Sequence, residues 1–124
     1  MMKTIAWIAA GGAIGAVARF GVLAASSKLG FEFPIGTLTV NLIGSFIVGV
    51  MVGSIAQMDS FQTFVHPLFV VGVLGSFTTF SAFSIETVSL INDQRWIIAG
   101  GYVLGTTLFC LVVAWVGHRL GQFL

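Results

Sequence analysis

Residues 75 to 84 read GSFTTFSAFS: three phenylalanines, Phe77, Phe80 and Phe83, at i, i+3 and i+6, interleaved with five hydroxyl side chains behind a glycine. The stretch sits inside an apolar run from Leu68 to Ile91. Polar groups at bilayer depth are costly unless they are packed away or in use. Gly75 with Ser76, Thr78, Thr79 and Ser81 can break a helix here, which is tolerated in a membrane only where the freed backbone is buried or lines a cavity. Freed carbonyls are hard oxygen ligands suited to a small bare cation such as Na+. Freed amides and the hydroxyls are donors. Phe80 and Phe83 lie one turn apart on one side of a resumed helix, and rings turned edge-on offer an anion a weak electropositive contact without a fixed charge. Weak contacts suit conduction, which requires binding loose enough to release. The plainer reading is that the rings only pack.

Other polar residues recur at helical spacing. Thr37, Asn41 and Ser45 fall at i, i+4 and i+8, and Tyr102, Thr106 and Cys110 repeat that spacing near the other end of the chain. Each set makes one polar stripe on a helix. Hydrogen bonding between helices would account for such stripes at about 0.6 kcal/mol per contact. Two stripes of donors without a carboxylate among them suit an anion better than a cation. Arg19 is the one formal charge of the first apolar block. It either snorkels to the interface or faces a watery vestibule and attracts anions. Cys110 reads as a small packing residue, and His66 and His118 as residues near helix ends. No Ser/His/Asp set, metal-ligand cluster or phosphate-binding loop is present, so the reading is of a protein that is not an enzyme.

The elements that must carry these residues are membrane spans. The chain has 124 residues, 57% hydrophobic and 7% charged, against the quarter or so charged that is usual for soluble domains. Four apolar blocks, Ile5 to Ala25, Pro34 to Ala56, Leu68 to Ile91 and Trp96 to Gly117, are each long enough to cross a bilayer as a helix. They leave room for a single four-helix transmembrane domain over residues 1 to 124 and no soluble one. The first block is longer than a typical signal-peptide core and contains Arg19, so it reads as a retained span. A net charge of +1 without a basic run gives no support for nucleic-acid binding.

With four spans, Lys3 and Arg119 share one side and Lys28 and Arg95 the other. Two against two leaves the positive-inside rule without a preference, so the chain can insert both ways and two oppositely inserted copies can pair. Close helix approach is written in GxxxG at Gly11/Gly15, Gly49/Gly53 and Gly101/Gly105.

Three motifs in order, GGAIGAVARF at 11 to 20, GTLTVNLIGSFIVG at 36 to 49 and GVLGSFTTFSAFSIE at 72 to 86, resemble the small Fluc (CrcB) family of fluoride channels along nearly the whole chain. The resemblance implies an all-α integral membrane protein of the cell membrane, with four transmembrane helices, the third broken near its centre. It implies an antiparallel dual-topology homodimer with two fluoride pores and a structural Na+ at the interface. Phe80 and Phe83 match the family's pore phenylalanines, and Asn41 its pore asparagine. Gly75 and Thr78 match the positions whose backbone carbonyls hold Na+. Arg19 matches the vestibule arginine, Tyr102 and Thr106 the polar track of the fourth helix, and Thr79 and Ser81 stand among the hydroxyls beside the pore. The family's logic is that HF enters, dissociates in the cytoplasm, and the trapped anion leaves passively. Ala82 replaces a threonine common in TTFSTF, and Cys110 stands where a serine is common; either change bears on conduction rate.

Two rivals differ in what they require. A dual-topology drug transporter needs a membrane-buried carboxylate, and the one acid within a block is Glu86, near the end of the third. A purely structural subunit would use the polar stripes for packing alone.

Overall fold

The computed structural model describes all 124 residues and is helical throughout. Helix α1 spans Met2–Ser27 and α2 spans Ile35–Ile55. A π-wound segment, Phe61–Leu74, runs into the short α3, Gly75–Phe77; after a break come α4, Phe80–Asn92, and α5, Trp96–Gly121. Four helical stretches, Met2–Ser27, Ile35–Ile55, Phe61–Asn92 and Trp96–Gly121, are long and apolar enough to cross a membrane. The third is interrupted, and the protein is a multi-pass membrane protein.

The third span begins at Phe61 rather than at Leu68, where the sequence places its start, because Pro67 lies inside the helix instead of ending it. In an α-helix the proline ring presses on the carbonyl four residues back. In the wider i to i+5 winding that carbonyl is displaced from beneath the ring. The turn between α1 and α2 uses Gly30, whose φ of +67° no side chain adopts comfortably.

Packing follows the glycines. A Cβ on Gly11 would overlap the carbonyl of Leu68, and one on Gly15 the carbonyl of Val73, so α1 lies backbone to backbone against the π-wound segment. Helices α2 and α5 make the most extensive contact in the fold, and there Gly49 and Gly53 abut the backbone at Ala114 and His118. Gly117 and Gly121 answer from α5 against Phe46 and Val50. The GxxxG that closes this seam is therefore Gly117/Gly121 and not Gly101/Gly105; nothing lies within 4 Å of a Cβ on Gly101, and only a ring of its own helix near Gly105. The α5 helix continues past Gly117 to Gly121, which brings the second pair into register.

Only 19 of 124 residues are buried, so the apolar exterior must be covered by lipid or by other protein. The largest buried hydrophobic cluster is Phe83, Leu90, Ala99 and Tyr102, between α4 and α5. Beside it Arg95, ahead of α5, pairs with Glu32 of the α1–α2 loop at 2.7 Å.

Candidate functional site

The break in the third span falls on two β-branched residues. Thr78 has φ −78° and ψ 156°, and Thr79 has φ −152° and ψ 117°, both extended. Gly75, which the sequence places at the start of the break, is helical at φ −62° and ψ −30°. The extended pair is clamped from α2: Asn41 Nδ2 donates to the Thr79 carbonyl at 3.0 Å, and the Thr79 N–H donates to Asn41 Oδ1 at 2.8 Å. A side-chain amide thus acts as the neighbouring strand that this two-residue stretch lacks. The Thr79 hydroxyl then starts α4, accepting from the Ala82 N–H at 3.2 Å and sharing a hydrogen bond with Ser81 Oγ at 3.2 Å.

Clamping Thr79 has a consequence upstream. In a continuous α-helix its N–H would serve the carbonyl of Gly75; here it goes to Asn41, and Gly75 loses that donor. The Thr78 carbonyl accepts from Arg19 Nη1 at 3.4 Å. Both oxygens sit at the break with less than a helix would give them, which fits the carbonyl ligands of a Na+ site. One chain offers only this pair, whereas hard cations gather several oxygens. The guanidinium at Thr78 also places a positive charge beside that half-site.

The two polar stripes meet. Asn41, Gly44, Ser45 and Val48 of α2 line a cavity of about 460 Å³ together with Thr79, Phe80 and Phe83 and with Thr106, Cys110 and Leu111 of α5. Gly44 leaves room there for the Thr78 methyl, which would collide with a side chain at that position. A second cavity of about 530 Å³ is lined by Arg19, Leu23, Thr79, Ser81, Ala82 and Ile85. Thr79 is the one residue common to both. The two phenylalanines differ: Phe83 is 8% exposed and Phe80 is 78% exposed. Their rings are tilted by 45° with centroids 5.3 Å apart. Phe83 continues to Tyr102 at 5.1 Å, and Tyr102 meets Phe33 edge-on at 5.3 Å.

At this end stands the residue whose part the sequence did not disclose. Glu86 accepts from Thr37 Oγ1 at 2.7 Å and from the Tyr102 hydroxyl at 2.7 Å, one on each carboxylate oxygen. The first members of the two stripes are tied to each other through it. Its spacing held the signal: Glu86 is three residues beyond Phe83, on the same side of α4. The second member of the α5 stripe is the opposite case. Thr106 is 6% exposed and its Oγ1 has no hydrogen-bond partner. The arrangement is a groove of hydroxyls, one amide and aromatic rings, with the Arg19 guanidinium at the Thr78 end and a carboxylate hydrogen-bonded on both oxygens at the Tyr102 end.

The sequence is similar to known proteins over nearly its whole length. The family model described as CrcB-like protein, Camphor Resistance (CrcB), matches residues 6–118. A Magnetococcus marinus protein named fluoride-specific ion channel FluC is 45% identical over 121 residues, covering 97% of this chain and 98% of that protein. Proteins of the same name from Opitutus terrae and Helicobacter pylori are 44% and 45% identical, covering 94% and 95% of this chain and 91% and 89% of their own lengths. With a family model spanning nearly every residue and relatives matched almost end to end, the chain belongs to the CrcB family.

Proposed function

We propose that the protein is a fluoride channel of the cell membrane that lets the anion leave the cytoplasm passively. The observation that carries the reading is the groove itself: hydroxyl and amide donors on α2, the Thr78–Thr79 break and α5 converge with Phe80 and Phe83 on a cavity that holds no carboxylate, and one of the donors, Thr106, has nothing to bond. The names of the relatives support fluoride as the ion. Fluoride is small and strongly hydrated, so a narrow path must replace its water with many weak donors. Arg19 draws anions toward Thr79 and Ser81. The ion then passes the edges of Phe80 and Phe83 beside Asn41, and runs along Thr106 to Tyr102. At Tyr102 it competes with Glu86 for hydroxyls that the carboxylate otherwise holds.

In a bacterial strain made fluoride-sensitive by loss of its own exporter, expression of this chain restores growth in fluoride medium. No restoration by protein verified in the membrane would return the polar stripes to a purely structural role.

The working unit of this proposal is an antiparallel homodimer. Phe80 is largely uncovered in one chain, and the two-against-two distribution of Lys and Arg permits both insertions. A single Na+ between the copies would be held by the Gly75 and Thr78 carbonyls of each, where it would offset the partial negative charge of those oxygens. Its part is to hold the copies together, not to move with the anion. Native mass measurement in detergent gives two chains and one sodium, and a C-terminal tag is found on both faces of the membrane. A monomer that still conducts, or a dimer that keeps its mass and activity with no sodium bound, contradicts this assembly.

A further inference from the structure

Cys110 is the single cysteine of the chain, and it lines the cavity of about 460 Å³ together with Ser45 of α2. One helical turn earlier, Thr106 lines the same cavity, more than nine-tenths buried, with its hydroxyl oxygen unpartnered. A buried hydroxyl left without a partner is costly, and the cavity is where a partner would sit. One thiol-bearing and two hydroxyl-bearing residues therefore line one cavity. Hydroxyls alone are hard, weak ligands for soft metals; the thiol changes the class of ion the space can hold.

We propose that Cys110, backed by Thr106 and Ser45, is a binding site for one soft, thiophilic cation such as mercury(II), and that its occupation closes the fluoride path. This rests on the reading that the anion travels through the same cavity. With mercuric chloride the step is a ligand exchange. The S–H bond and one Hg–Cl bond break, an S–Hg bond forms, and the proton and chloride leave as HCl. Nothing is oxidised or reduced. The chloride is neutral and crosses lipid, so the site is reached without a charged reagent entering the groove. Once anchored, the metal offers the Thr106 hydroxyl the partner it lacks and fills the space between α2 and α5 through which the anion must pass.

The test uses the purified protein in fluoride-loaded vesicles, with efflux and protein mass read on the same sample before and after mercuric chloride. Each variant is compared with its own untreated rate. The proposal expects one bound mercury per chain, loss of fluoride efflux, and recovery of efflux when dithiothreitol strips the metal. Cys110→Ser gains no mercury and keeps its own rate. Thr106→Val binds mercury but releases it to lower dithiothreitol. A mercury adduct with efflux undiminished, no adduct on the folded protein, or equal loss of efflux in Cys110→Ser overturns the site. Absence of efflux before any mercury is added counts instead against the channel reading, and the mass measurement still decides whether the cavity binds the metal.

Discussion

Replacing Asn41 with alanine abolishes fluoride efflux and lowers the unfolding free energy by about 2 to 6 kcal/mol, because two backbone groups of Thr79 lose their partner at once and each unmade bond costs about 1 to 3 kcal/mol. Asn41→Asp separates the two bonds. An ionised carboxylate still accepts from the Thr79 N–H but sets oxygen against the Thr79 carbonyl, so this variant too loses stability and efflux. Ser45→Ala, one turn along the same stripe, gives up no hydrogen bond to the break and leaves stability unchanged. Thermal unfolding of the purified variants checks the order. Wild-type stability in Asn41→Ala would mean that the break holds itself.

Phe80→Ile produces the opposite split: unchanged stability, and fluoride efflux slowed at least tenfold, which corresponds to about 1.4 kcal/mol added to the barrier. The ring is 78% exposed in the single chain, so its removal leaves little cavity within that chain's own core. What disappears is the electropositive ring edge, which isoleucine does not have. Phe83→Ala differs, since its ring is buried against Phe80 and Tyr102. Truncating it costs about 3 to 5 kcal/mol, as buried aromatic-to-alanine changes do. Efflux per folded protein, set against unfolding temperature, distinguishes these cases. Normal efflux from folded Phe80→Ile would remove that ring from the path.

The four spans were legible because hydropathy and length decide them, and the stripes Thr37/Asn41/Ser45 and Tyr102/Thr106/Cys110 were legible because helical spacing does. That the stripes face each other was not, since spacing fixes a face but not the neighbour it meets. Pro67 misled at the start of the third span: a proline normally ends a helix, and its accommodation in a wider winding depends on the turn geometry around it. Gly75 drew the eye as the breaking residue, yet the break needed a partner for its exposed amide more than it needed backbone freedom. That partner, Asn41, lies 38 residues away on another helix. Gly117/Gly121 was hidden because the last block ended one residue into the pair. Glu86 was read by its nearness to a helix end, and only the positions of Thr37 and Tyr102 show that both stripes converge on it.

The account stands most directly on one flux measurement. Purified protein is reconstituted into vesicles loaded with fluoride and, separately, with chloride; valinomycin clamps the potential and an ion electrode follows each anion outward. Rapid fluoride release with chloride retained is the predicted result. Equal release of both anions, or none from a verified folded protein, would contradict a groove built to carry fluoride.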